Sequence, residues 1–481
     1  MKIVHATSEC FPFIKTGGLA DAVGSVTRAL AGYGHEVAVF LPGYRVVLEH
    51  PQVAGAEKIL SFGVEMGDSL FQGDVRRVKL GKNLTLYLIC RDEYFDRTFP
   101  YGTSDRDYDD NPERFTFFSK AIVEVLIRLR LKPEVVHCHD WQTSLLPLFL
   151  RFEERRQALT LAGKTVLTIH NLAFQGLFPM HTFGLTNLPD ELLGIDGFEY
   201  YGQINWLKGG ILFSDRITTV SPTYAREILT PEFGCGLEGV LAKRSDDLVS
   251  LINGIDQDVW DPKNDPYLPA PFSAADPKGK EACRHALLKE CGFSPRFNGL
   301  LFGMICRFTE QKGIRLLLEA RDFFLRKDVR LVLLGSGPHE TEKRINDFAA
   351  LNPKGISVFL RLDEAMSHRI EAGCDFFLMP STFEPCGLNQ MYSQRYGTIP
   401  VASRIGGLAD TIIDVDEDPQ HGTGITFYPP RKEALLDALT RAQALHADKD
   451  RLAATRRRAM KADFSWRKAV RAYEALYRTI V

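Results

Sequence analysis

Short, almost uninterrupted apolar runs alternate with amphipathic stretches from one end of the chain to the other. Residues 2–6, 36–41, 84–89, 134–137, 165–170 and 216–220 are rich in Val, Ile and Leu and read as strands. Stretches between them, such as 114–130, repeat apolar residues at helical spacing. Strands that are apolar throughout and separated by helices predict a parallel sheet covered on both faces. A second series follows at 300–305, 329–334, 356–360, 376–379 and 398–402. Between the two series, 256–271 is rich in Asp and Pro and reads as a connector. The last stretch, 464–481, sets Trp466, Val470, Tyr473 and Tyr477 on roughly one helical face. The pattern predicts an α/β protein of two doubly wound halves. One spans 1–250 and the other 251–463, and a C-terminal helix, 464–481, crosses back onto the first.

The totals narrow the function classes. A chain of 481 residues is long for one core, which agrees with two domains. A net charge of −2 gives no basic excess for nucleic acid and no acidic tail. Met1 leads straight into a strand with no secretory leader, and no apolar run approaches the ~20 residues of a membrane span. Nine cysteines without a C-x-x-C pair fit reduced thiols. The expectation is a cytoplasmic protein.

Candidate chemistry gathers after the strands, where ligands bind in such sheets. Lys15-Thr16-Gly17-Gly18-Leu19-Ala20-Asp21 follows the first strand and opens a helix. Two glycines at a helix start expose backbone N–H groups, and Lys15 adds a positive charge, so an anion cradle and a plain glycine turn are both open readings. The five letters recur at Gly406-Gly407-Leu408-Ala409-Asp410. That is either coincidence or a second glycine loop brought to the same cleft. The dinucleotide fingerprint G-x-G-x-x-G is absent from the first loop, which speaks against a dehydrogenase. Strand 134–137 leads into Cys138-His139-Asp140-Trp141, and 165–169 into His170-Asn171. A zinc site at His137 and His139 is set aside, because neighbours in a strand point to opposite faces and no second ligand pair is spaced to join them. Arg307 and Lys312 put two cations after a strand, either a phosphate clamp or ordinary surface charge. In 380–390, Pro385 disfavours helical geometry at Glu384 and keeps that carboxylate on a turn, with Gly387, Leu388 and Asn389 offering amides to an anion. Cys386 has no histidine placed to activate it and reads as a packing or amide-donating residue.

Seven of these segments, in this order, resemble the bacterial glycogen synthases and plant starch synthases over essentially the whole chain. They are Lys15 to Asp21, His139-Asp140-Trp141, Thr168-Ile169-His170-Asn171, Asn253-Gly254-Ile255-Asp256, Arg307 with Gln311-Lys312-Gly313, Phe383-Glu384-Pro385-Cys386-Gly387-Leu388, and Gly406 to Asp410. The resemblance implies a GT-B glycosyltransferase, two Rossmann-like domains facing a cleft. It implies transfer of glucose from ADP-glucose to the non-reducing 4-hydroxyl of an α-1,4-glucan such as glycogen, with retention. By the same resemblance Arg307 and Lys312 bind the donor phosphates, and Lys15 with the Gly17-Gly18 turn approaches the same group. Glu384 holds sugar hydroxyls with the amides of Cys386 and Gly387, and Leu388 and Asn389 border the β-phosphate. The His170 carbonyl lies near the reacting carbon, Asp140 and Asn171 line its pocket, and Glu9 and Asp21 fall near sugar and acceptor. Closure is expected through a hinge near Asn253-Gly254 and the segment before Trp466.

Three positive charges make a metal unnecessary, and no cofactor is expected. Asp414-Val415-Asp416 resembles the metal-binding D-x-D of another transferase class, but it reads as an exposed acidic loop and is discounted. Two positions depart from the family pattern. Leu362 stands where bacterial enzymes often have a tyrosine that stacks on adenine, and Asn389 where many relatives have threonine. UDP-glucose as donor, another GT-B hexosyltransferase, and a glucan-binding protein without catalysis are the competing readings.

Overall fold

The computed structural model describes residues 1–103, 106–158 and 160–481. It divides into two compact units. Unit 1 comprises Met1–Val220, Ala225–Gly254 and Trp466–Val481, and unit 2 comprises Ser221–Tyr224 and Ile255–Ser465.

The sheet of unit 1 has nine strands, with Lys2–Ala6 near its centre between Val135–His139 and Glu36–Pro42. Beyond Val135–His139 lie Lys164–Ile169, Arg216–Thr219 and Leu248–Ser250, all parallel. The far edge departs from the expected all-parallel sheet. Glu57–Met66 and Ser69–Lys79 form a hairpin that adds antiparallel to Leu84–Cys90. These two strands carry charges among their apolar residues, so no continuous Val/Ile/Leu run announces them, and they were missing from the sequence reading. Helix Gly18–Gly32 packs on the terminal helix Trp466–Ile480. The buried face of that terminal helix includes Trp466, Val470, Tyr473 and Tyr477.

Unit 2 has six strands, all parallel, with Leu300–Arg307 and Phe376–Met379 at the middle. Its core separates by the two-residue period of a strand. Leu300, Phe302, Met304, Leu331, Leu333, Phe376 and Leu378 join one buried cluster. Leu301, Val332, Leu334, Phe377 and Met379 join another. Both faces are apolar, hence the uninterrupted runs in the sequence. The Asp- and Pro-rich connector is docked on this unit: Trp260 stacks on His368 and on Tyr392, each at 3.8 Å, and Asp265 bonds His368 Nδ1 at 2.7 Å. No helix among the described residues is long and apolar enough to cross a membrane.

One prediction from the strand face failed. His137 and His139 are two apart, not adjacent, so they point to the same side of the sheet, and His5 joins them from the neighbouring strand. The three rings stack with centroids 4.5–5.3 Å apart, and their ligand atoms lie within 4.8 Å of one another. The stacking runs against a shared ion, because imidazole lone pairs lie in the ring plane and parallel rings do not aim them at one point. Most of the nitrogens are engaged elsewhere: His137 Nδ1 meets Tyr477 Oη at 2.6 Å and its Nε2 meets Thr168 Oγ1 at 2.5 Å.

Burial keeps these rings neutral. It lowers His5 to about 3 and His137 and His139 well below the usual imidazole range. In the unfolded chain the same groups take up protons near pH 6.5. The unfolded state therefore binds more protons below that value, and stability falls as pH drops through it. His5 alone should remove about 1 kcal/mol one pH unit below its unfolded value. Asp140 and Glu371, whose carboxyls are raised by burial, contribute with the opposite sign over this range, so the check is a difference. Between about pH 7.5 and 5.5 the urea midpoint should fall more steeply in the unaltered protein than in His5→Asn, and equal slopes would mean that the His5 ring is not buried as a neutral group.

Candidate active site

In unit 1 the residues that follow three parallel strands meet. Glu9 lies after strand Lys2–Ala6, Asp140 after Val135–His139, and His170 after Lys164–Ile169. The Glu9 carboxylate accepts from Tyr101 Oη at 2.6 Å, from Thr16 Oγ1 at 2.7 Å and from the Thr16 N–H. Two of these donors, both from Thr16, tie it to the glycine loop and the third ties it to the segment at Tyr101, so Glu9 acts first as a strut for that loop. The loop itself is open: a Cβ on Gly17 would meet nothing within 4 Å, and no side chain caps the helix that starts at Gly18. Its first-turn amides and the Lys15 ammonium are hydrogen-bond donors at the same helix start. Asp21, in the same turn, pairs with Lys15 at 2.9 Å.

Asp140 sits at φ 56°, a left-handed conformation that costs a non-glycine residue about 1–3 kcal/mol. The strain turns its carboxylate onto the next loop, where Oδ1 accepts from the His170 N–H at 2.7 Å, and the Asn171 amide also donates to it. Burial raises its carboxyl to about 7, against the lowering pull of those two amides, and Glu9 is near enough to push it further up. Asn171 Oδ1 turns back to accept from the Ala173 N–H at 3.0 Å.

In unit 2 two loops interlock. The Thr382 N–H donates to the Gln311 carbonyl at 2.9 Å, and Gln311 Nε2 donates to the Phe383 carbonyl at 3.1 Å. This brings two expected site residues together in an unforeseen way: Lys312 Nζ bonds Glu384 Oε2 at 2.6 Å. The Glu384 side chain is 5% exposed and also accepts from Ser381 Oγ at 3.1 Å. Arg307, at the end of its strand, is exposed and pairs with no carboxylate among the described residues. Burial pushes the adjacent Cys306 thiol up to about 12 although Lys312 and Arg307 both pull it down, so both cations act on this one spot. Cys386 is buried, its carbonyl accepting from Gln390 Nε2 at 3.0 Å, and Gly387 takes φ +67° at the turn before helix Asn389–Arg395. Asn389 Nδ2 donates to the Ile305 carbonyl at 3.2 Å, which ties the turn to the strand ending at Arg307.

The second glycine pair has a different task from the first. Gly407 N–H donates to the Pro385 carbonyl at 3.1 Å, and a Cβ there would lie 2.2 Å from the Cys386 carbonyl oxygen. Gly406 would bring a Cβ within 1.9 Å of the Glu384 carbonyl. These glycines let one backbone lie against another and seat the second glycine loop on the Glu384-Pro385-Cys386 turn. Asp410 accepts from Ser221 Oγ, Thr223 N–H and Thr223 Oγ1. The discounted Asp414-Val415-Asp416 is not a loose acidic loop. Asp414 is buried, both aspartates pair with Arg441, and Asp416 also bonds Arg451 at 2.5 Å.

Sequence reasoning missed Tyr101, Ser381 and His5. Tyr101 and His5 act by contact with residues far away in the chain, which nothing in local spacing marks, whereas Ser381 reaches Glu384 three residues on within one turn.

Comparison with known proteins agrees with these geometries. Residues 2–243 match the family model for the starch synthase catalytic domain, and residues 296–459 match that for glycosyl transferases group 1. A glycogen synthase of Opitutus terrae is 57% identical over 478 residues, covering 99% of both chains. Glycogen synthase 2 of Geobacter sulfurreducens is 43% identical, covering 99% of this chain and 98% of its own. The catalytic domain of starch synthase IV from Arabidopsis thaliana, solved with ADP and acarbose, superposes with a TM-score of 0.92 at 34% identity and 99% coverage of both chains. Identity at this level over the full length, with the strand-end residues described above, shows that the chain belongs to the glycogen synthase and starch synthase family of GT-B glycosyltransferases.

Proposed function

We propose that this protein is a glycogen synthase, moving glucose from ADP-glucose to the non-reducing 4-hydroxyl of an α-1,4-glucan, with retention of configuration and release of ADP. One observation carries the reading: an unpaired Arg307 stands beside the Lys312–Glu384 pair at neighbouring strand ends of unit 2. A nucleotide sugar offers what that group can take, a diphosphate for the cations and hydroxyls for the carboxylate. The donor carries roughly two negative charges and the departing nucleoside diphosphate roughly three, so fixed cations favour the later state. Lys15 with the open Gly17-Gly18 helix start is the corresponding anion-binding group of unit 1.

The carboxylates are placed for holding, not for attack. Glu384 is engaged by Lys312 and Ser381, and Asp140 by two backbone amides. We therefore favour attack on the same face as departure. The bond from the anomeric carbon to the phosphate oxygen breaks, that from the same carbon to the acceptor oxygen forms, and the acceptor's proton passes to the departing phosphate. The cations make a metal unnecessary for this step. The ADP in the starch synthase IV complex supports adenine as the donor base. Leu362 is 82% exposed and offers a base an aliphatic surface in place of a ring.

Labelled glucose should enter glycogen from ADP-glucose, in the presence of chelator, faster than from UDP-glucose. A UDP-glucose preference would overturn the donor, and dependence on added metal would overturn the charge argument. Lys312→Ala removes a cation and strands a buried carboxylate, so ADP release should fall about a hundred-fold or more. Activity near that of the unaltered protein, with folding verified by circular dichroism, would remove Lys312 from the site.

A further inference from the structure

Three imidazoles of unit 1 form an unbroken hydrogen-bonded series. His5 Nδ1 lies 3.0 Å from His139 Nε2, and His139 Nδ1 lies 3.0 Å from His170 Nε2. A neutral imidazole has one N–H donor and one acceptor nitrogen. His139 meets another imidazole at each nitrogen, so it donates on one side and accepts on the other. Every N–H in the series must then point the same way, and only two arrangements exist.

The ends of the series choose between them. His5 Nε2 is buried and has no partner. If the N–H groups ran from His170 toward His5, that nitrogen would carry a proton with nothing to accept it. If they run from His5 toward His170, it is only an unused acceptor. Buried orphan donors are the rarer and costlier case. At the other end His170 is half-buried, and its Nδ1 has no hydrogen-bond partner among the described residues. His137 stacks on His139 at 4.5 Å but keeps its own nitrogens on Tyr477 and Thr168, so it flanks the series without joining it.

We propose that His5 and His139 are positioning residues that lock His170 as the neutral Nδ1–H tautomer, so that its open edge presents a fixed donor to a substrate oxygen. Burial keeps the whole series neutral, with His5 and His170 lowered to about 3 and His139 well below the usual range. The identity of the oxygen, a hydroxyl of the transferred glucose, rests on the glucosyl-transfer reading above; the tautomer does not. His5 would then act on the reaction through two intervening bonds and without touching substrate.

The direct test is long-range proton–nitrogen NMR of the ligand-free protein labelled with 15N-histidine at about pH 7.5. His170 would be assigned by its loss in His170→Asn. A neutral ring with the proton on Nδ1 is expected; a proton on Nε2, or on both nitrogens, overturns the proposal. Two variants then separate positioning from packing. His5→Asn keeps an N–H donor near the place of Nδ1 but leaves a gap. His5→Leu fills space but donates nothing. Positioning predicts kcat about ten-fold lower in His5→Leu and within about two-fold of the unaltered protein in His5→Asn. The opposite order would mean that His5 is merely filler. Should neither variant fold, the spectrum of the unaltered protein still decides. An Nδ1–H tautomer in a protein that transfers glucose from no nucleotide sugar would sink the functional reading and leave the lock standing.

Discussion

Parallel pairing gives a sheet a direction, and the site depends on it. When strands run the same way, the residues that follow them emerge at one edge. Glu9, Asp140 and His170 follow three parallel strands of unit 1. Arg307 closes one strand of unit 2, and Glu384 and Gly406 follow two others. None needs to be near another in sequence; the hydrogen-bond ladders do the gathering. The antiparallel hairpin at the far edge of unit 1 lies outside this scheme and contributes none of the residues discussed.

The carboxylates of the site already have partners. Glu9 is bound by Tyr101 and Thr16, Asp21 by Lys15, and Glu384 by Lys312 and Ser381. A buried carboxylate without donors would be costly, so each is held in place by the groups around it. A substrate that brings its own phosphate and hydroxyls would exchange one set of charge-assisted bonds for another, at less cost than desolvating free ions. Arg307 stands apart as an exposed cation with no carboxylate beside it among the described residues.

The sequence made the fold legible wherever both sides of a strand are buried. The runs ending at Ile169, Arg307 and Met379 show as continuous apolar letters because helices cover both faces. The hairpin at 57–79 is half wet, and its alternating charges hid it. Motif residues were legible one by one, but their contacts were not. Lys312 and Glu384 were assigned to different parts of a substrate, yet the structure bonds them to each other, because the pairing of loops 72 residues apart is a tertiary fact. The two Gly-Gly-Leu-Ala-Asp segments are the sharpest case. Identical letters open toward a possible ligand at Gly17 and press against backbone at Gly407, and only the neighbours differ. His137 and His139 share one side of the sheet for a simpler reason, a separation of two along the strand.

The docked connector carries one more consequence. Of the four tryptophans, Trp141, Trp206 and Trp466 belong to unit 1, and Trp260 alone belongs to unit 2. It is sandwiched between an imidazole whose protonated form is favoured by Asp265 and a phenol ring. When that imidazole is protonated, an indole stacked on it loses its excited state by electron transfer. With the other three removed, the chain would hold a single dim chromophore that brightens when the connector peels away, a built-in optical gauge of the junction that needs no added dye.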